Sequence, residues 1–201
     1  MLRERVTEDV YVFISQLYAE VSATVVITPE GAVIVDTLPF PQETRQVREF
    51  ALDRCPAGIR YVILTHHHAD HIYGSYLFPE AELISHRLTR ETLLKVGAES
   101  LAQAKAQTPA LAPVELRIPQ LVFETDLILR LGEKTIHLMH APGHAPDAIM
   151  AHLREDKVLV ASDVVTPVPL IVRGNSEELA KSLRQIKALN LENVVQGHGG
   201  V

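Results

Sequence analysis

The continuous apolar run Tyr61-Val62-Ile63-Leu64 ends directly in Thr65-His66-His67-His68-Ala69-Asp70-His71. A short run of this kind suits a strand buried on both faces of an α/β layered fold, so the histidines sit where a strand leaves its sheet. Side chains alternate along an extended chain, which sends His66 and His68 to one side and His67 to the other. Two imidazoles on one side can hold one divalent metal. Asp70 and His71 lie beyond the point where the chain turns toward Ile72-Tyr73-Gly74, and can face a second position beside the first. Imidazole nitrogens and carboxylate oxygens at about 2.0–2.2 Å are ordinary zinc ligands. The internal position, the strand upstream and the interrupting Asp70 separate this segment from a solvated histidine loop or an affinity tag.

Three more candidate ligands sit where a strand meets a loop. His144 lies in Ala141-Pro142-Gly143-His144-Ala145-Pro146-Asp147, a tight turn after a strand through Met139. Asp163 ends the strand Val158–Ala161. His198 follows the strand through Gln196 between two glycines, which let backbone approach a metal closely. Singly these signals are weak. Together, four strand ends with five histidines and two aspartates are what a preorganised two-metal site needs.

The remaining pattern predicts two similar halves of strands followed by a helix, in a single domain over residues 1–201. In the first half, strands are expected at Val10–Ser15, Ala23–Thr28 and Ala32–Asp36, an amphipathic helix at Phe40–Arg54, and a strand at Glu82–Ser85. A helix is expected over Arg87–Lys105, then a proline-containing excursion over 107–120. The second half carries strands at Leu121–Phe123, Leu127–Leu131, Thr135–Met139, Ala148–Leu153, Val158–Ala161 and Asn193–Gln196. Its helix, Ser176–Leu189, is capped by Asn175 or Ser176, with Leu179, Leu183 and Ile186 on one face.

At this point the chain resembles the metallo-β-lactamase-fold hydrolase superfamily. The His-x-His-x-Asp-His pattern falls at His66, His68, Asp70 and His71, and the Gly-His segment, strand-end Asp163 and Gly-His-Gly at His198 follow in order. The resemblance implies a four-layer αβ/βα sandwich with its site at one edge of two sheets. It implies that His66, His68 and His144 hold a first metal, that Asp70, His71 and His198 hold a second, and that Asp163 bridges them. The bridging Asp163 fits the glyoxalase II-like, lactonase-like and phosphodiesterase-like branches better than the zinc β-lactamases. His68 stands where flavodiiron proteins carry Glu. The 201 residues have no room for the bulky additions of the nucleases or of glyoxalase II proper. Simple members usually continue past the last ligand, whereas this chain closes three residues after His198, so a truncation or a missing wall is expected.

The implied activity is that of a dinuclear metal-dependent hydrolase, in which a metal-bridging hydroxide attacks a small ester, thioester or lactone and Asp70 orients the nucleophile. Two divalent ions are implied, zinc first, with iron or manganese as other choices. The alternatives are a mononuclear iron persulfide dioxygenase using His66, His144 and Asp163, and a phosphodiesterase. Asp36, after a Val/Ile strand, is expected either to hydrogen-bond a ligand histidine or to cap its loop. Cys55 reads as structural. His86, His137, His140 and His152 have no spacing partner, and Tyr73 and Arg173 read as packing or solvated residues. The run Pro167–Val172 either lines a pocket or forms strand or core.

Charge narrows the partners. The 19 Lys and Arg against 25 Asp and Glu leave a net charge of −6, with no basic run, so a small-molecule substrate is expected rather than nucleic acid or an anionic membrane. One cysteine excludes a disulfide framework. Residues 1–10 carry no apolar signal segment, and a cytoplasmic location is expected.

Overall fold

The computed structural model describes all residues, Met1–Val201. Twelve strands form two sheets. The seven-stranded sheet contains, in spatial and chain order, β1 (Leu2–Arg5), β2 (Val10–Ile14), β3 (Ser22–Val26), β4 (Ala32–Val35), β5 (Ile59–Leu64), β6 (Glu82–His86) and β7 (Leu121–Phe123). Its first four strands pair antiparallel and its last four parallel. The five-stranded sheet runs β12 (Asn193–Gln196), β11 (Val158–Ser162), β10 (Ile149–Leu153), β9 (Lys134–His140), β8 (Asp126–Leu131), antiparallel except for the parallel β11–β12 pair.

Period-two alternation of the apolar residues builds the layers. Val10, Val12, Val33, Val35 and Ile63 face the second sheet and pack with Leu138, Ile149, Ala151, Val158 and Val160 in one core. Their neighbours Tyr11, Phe13, Ile34, Val62 and Leu64 face the other way, onto helix α1 (Pro41–Arg54) through Val47 and Ala51. Met150, Leu159 and Ala161 face outward from the second sheet, onto helix α5 (Ser176–Lys187) through Leu179. Three cores between helix, sheet, sheet and helix make the α/β four-layer sandwich.

Local chemistry sets the helix starts. Pro41 opens α1, where its missing N–H costs nothing. The Asn175 side chain accepts from the Glu178 amide at 2.9 Å and caps α5, a contact worth about 1 kcal/mol. The apolar face of α5 is narrower than expected: Leu179 is buried, whereas Leu183 is exposed and Ser182 takes the buried position, donating to the Pro142 carbonyl at 2.7 Å.

Three segments differ from expectation. Leu2–Arg5 is a strand, paired with β2 along its full length although all four residues are exposed. The helix over 87–107 is interrupted: α3 (Arg87–Thr92) and α4 (Ala98–Gln107) are joined by a π turn at Leu93–Gly97. Pro167–Val172 is neither strand nor core, with Val168, Leu170 and Ile171 exposed. Its backbone has a different role: the Leu170 carbonyl and the Val172 amide both bond to His144. No helix is long and apolar enough to cross a membrane.

Candidate metal centre

The loops at the ends of β4, β5, β11 and β12, with the turn between β9 and β10, meet at one edge of the sandwich. Backbone bonds hold the two sheets together there: Ile149 donates to the Thr65 carbonyl and Ser22 to the Gly197 carbonyl, each at 2.9 Å. One short helix, α2 (Ala69–Ile72), follows His68 and turns Asp70 and His71 back toward the edge.

Two groups of ligand atoms result. His66, His68, His144 and Asp163 form one, and Asp70, His71 and His198 the other, with ligand atoms in each group within 4.8 Å of one another. His68 Nδ1 lies 2.9 Å from His66 Nε2 and 3.1 Å from His144 Nε2. Asp163 divides its carboxylate between the groups. Its Oδ2 is 3.3 Å from His144 Nε2 and 3.8 Å from His66 Nε2, while its Oδ1 is 3.3 Å from His71 Nε2 and 3.5 Å from His198 Nε2. Asp70 Oδ2 completes the second group, 3.7 Å from His71 Nε2 and 3.6 Å from His198 Nε2. Ligands about 2.1 Å from a tetrahedral ion stand about 3.4 Å apart, so these spacings fit metal coordination. The structure thus brings together all seven of the side chains singled out in the sequence.

The far ring nitrogens fix how each histidine is presented. His66 Nδ1 donates to Thr65 Oγ1 at 3.0 Å, His71 Nδ1 to Asp36 Oδ2 at 2.9 Å, His144 Nδ1 to the Leu170 carbonyl at 2.8 Å, and His198 Nδ1 to the Ala19 carbonyl at 2.7 Å. With the proton on Nδ1, each of these four rings offers the Nε2 lone pair to the cluster. His68 is reversed and offers Nδ1. Asp36 is the hub of this support. It sits at φ +60°, accepts from the Thr65 amide and hydroxyl at 2.9 and 2.8 Å, and takes the Ser162 hydroxyl at 3.0 Å as well as His71.

Electrostatics in the cluster follow from crowding. Burial, reinforced by neighbouring imidazoles, holds the pKa of His66 well below the usual histidine value and brings that of His68 down to about 4. Burial also acts on His71, yet Asp36, Asp70 and Asp163 together hold it well above the usual value. For Asp163, burial is outweighed by His71, His198 and His66, which keep its carboxyl strongly depressed. His71 Nε2 and Asp163 Oδ1 are buried without a hydrogen-bond partner. Unpartnered buried donors and acceptors cost about 1–3 kcal/mol each, and a cation satisfies both lone pairs at once. The donor set therefore fits divalent metal ions.

Asp147 was not singled out in the sequence. His67 points away from the cluster and meets this buried carboxylate, with its ring Nδ1 2.9 Å from Oδ1 and its amide 2.9 Å from Oδ2. Thr89 Oγ1 donates to the same carboxylate at 2.9 Å, tying α3 to the histidine segment. The one sequence signal was position, three residues after His144 in the same turn. Of the other histidines, His86 accepts from the Leu88 amide at the start of α3 and stacks on His140 with ring centroids 4.0 Å apart, and His137 meets Asp126 at 2.8 Å. Tyr73 is buried and Arg173 exposed.

A model of the metallo-beta-lactamase superfamily matches residues 19–198. The chain belongs to this superfamily. Among curated relatives of this metallo-beta-lactamase-superfamily chain, the acyl-coenzyme A thioesterase MBLAC2 of Bos taurus is 29% identical over 120 residues, 54% of this chain and 42% of the relative. A hydroxyacylglutathione hydrolase of Cereibacter sphaeroides is 27% identical over 151 residues, 74% of this chain and 51% of the relative. The chain therefore spans about half the length of these relatives. Among solved structures, a metallo-beta-lactamase from Pontibacter korlensis superposes with a TM-score of 0.73 at 18% identity, covering 98% of this chain and 91% of its own.

Proposed function

We propose that the protein is a dinuclear, zinc-dependent hydrolase of small acyl substrates, thioesters foremost. The observation that carries the reading is the Asp163 carboxylate, which turns one oxygen to each group of ligands. A residue so placed suits a pair of ions sharing one site. Bound there, two divalent cations supply Lewis acidity and lower the pKa of water toward neutrality.

The side chains have separate tasks in this reading. His66, His68 and His144 would hold the first ion and Asp70, His71 and His198 the second, with Asp163 presenting one carboxylate oxygen to each group. Asp70 is the carboxylate of the cluster most open to solvent, with 18% of its side chain exposed against 5% for Asp163. Its position lets it orient the nucleophile and take a proton on its carboxylate. Asp36, buried behind His71, keeps that ring in register throughout. No serine or cysteine nucleophile is required; Cys55 is buried, with its thiol 3.4 Å from the Thr28 carbonyl.

Support for the acyl class comes from the relatives. One is named for acyl-coenzyme A and the other for hydroxyacylglutathione, both acyl groups carried on sulfur. The test is a panel of acyl thioesters, lactones and phosphodiesters, assayed before and after chelation and after restoring zinc. The expected result is thiol release that chelation abolishes and zinc restores. Phosphodiester cleavage without thioester cleavage would contradict the assignment.

A further inference from the structure

A cavity of about 210 Å³ lies beside the cluster, and His68 forms part of its wall. Ile72, Tyr73, Leu93, Val96 and Leu116 supply half of the remaining wall, Thr92 and Ser100 add hydroxyl side chains, and no Asp, Glu, Lys or Arg lines it. His68 is the one residue of the cluster in this wall: its Nδ1 faces His66 and His144, while Nε2, on the other edge of the ring, is buried without a partner.

The cavity coincides with the interruption between α3 and α4. Leu93, Val96 and Gly97 are all in the π turn, and all three line the cavity. Such a turn is widened relative to the α-helix on either side, is uncommon, and is found mostly at functional sites. Gly97 sets the clearance: a Cβ there would stand 2.7 Å from Leu116 Cδ2, itself part of the wall.

We propose that this cavity receives the acyl chain of the substrate, a linear, uncharged group of about four to six carbons. The proposal rests on the hydrolytic reading of the adjoining cluster. An apolar cavity of about 150 Å³ accommodates a six-carbon ring, so this one has room for a chain of that size. Its walls exclude charge because a buried ion without a partner is strongly disfavoured. An acyl carbon at the cluster directs its chain past His68 into the π turn. Each methylene buried there raises kcat/KM about threefold to fourfold.

The experiment measures kcat/KM on metal-replete protein for straight-chain acyl thioesters of N-acetylcysteamine, from acetyl to dodecanoyl. Binding of acetate and hexanoate is titrated calorimetrically in parallel. The expected profile rises to about hexanoyl and falls beyond octanoyl, and hexanoate binds at least tenfold more tightly than acetate. Gly97→Val lowers the hexanoyl-to-acetyl ratio at least tenfold at unchanged metal content, and Leu116→Ala moves the optimum about two carbons longer. A flat profile, or one that neither variant moves, overturns the acyl pocket and leaves the hydrolase reading standing. Hexanoate binding that Gly97→Val abolishes, in a protein that cleaves none of the thioesters, keeps the aliphatic subsite and overturns the hydrolase reading.

Discussion

His71 donates from Nδ1 to Oδ2 of Asp36 at 2.9 Å, and both side chains are buried. The bond fixes the ring so that Nε2 stands 3.3 Å from Asp163 Oδ1. Removing such a support commonly costs 10–100-fold in metal affinity. Asp36→Ala is expected to weaken zinc binding by about that factor in competition with a chelator. It also leaves the Thr65 amide and one of the Thr65 and Ser162 hydroxyls without an acceptor, since those hydroxyls stand 2.8 Å apart and one can donate to the other, so a loss of about 2–3 kcal/mol is expected in denaturant unfolding. Unchanged zinc affinity would show that Asp36 only caps its loop.

Gly197 contributes no ligand, yet a Cβ on it would stand 1.9 Å from Asp163 Oδ1. Gly197→Ala must move that carboxylate, and zinc affinity is expected to fall at least tenfold. Gly58→Ala is the control: at φ +82° it carries the strain of a left-handed residue, about 1–2 kcal/mol, with nothing within 4 Å. That variant loses stability and keeps its metal. Equal metal loss in both would remove the case for a carboxylate positioned by Gly197.

His68→Ala is expected to lower bound metal and abolish turnover. The neighbouring His67→Ala is expected to retain both within about threefold. His67 contributes instead through Asp147, which keeps Thr89 and the residue 67 amide as partners in the variant, so its cost is about 1–2 kcal/mol of stability. Elemental analysis and thermal unfolding of the two variants separate the roles. Comparable metal loss in both would contradict the alternation that turns His67 away.

Asp147 also gives a pH signature. Its burial raises the pKa, but hydrogen bonding and charge from His67, with the Thr89 hydroxyl, outweigh this and leave it below the ordinary carboxylate value. A folded-state pKa depressed in this way gives stability that is present above the unfolded value. It is lost as pH falls through the folded one. The gap in melting temperature between wild type and Asp147→Asn is therefore expected to be wide at neutral pH. It should close as pH falls below about 4. A gap independent of pH would mean that the carboxylate charge contributes nothing.

The convergence of His66, His68, Asp70 and His71 was legible because strand alternation and the turn at Ala69 act locally, within one short segment. The layers were legible wherever apolar residues alternate in continuous runs, as in β2 and β4, where odd and even positions divide between two cores. β1 was not, since Leu2–Arg5 is exposed throughout and shows no buried alternation, although its backbone pairs with β2 along its full length. The π turn was equally hidden, because Leu93-Leu94-Lys95-Val96 continues a helical pattern and only Gly97 departs from it. Asp147 escaped because its partners, His67 and Thr89, lie 80 and 58 residues away, and no spacing rule reaches that far.

The central claim is that the seven side chains meeting at this edge hold two divalent ions for hydrolysis. Elemental analysis of the purified protein, run alongside thiol release and oxygen uptake, tests it most directly. The account predicts two zinc equivalents per chain, falling together with thioester cleavage in Asp163→Ala. One iron per chain, with oxygen consumed on glutathione persulfide and no thioester cleaved, would contradict it.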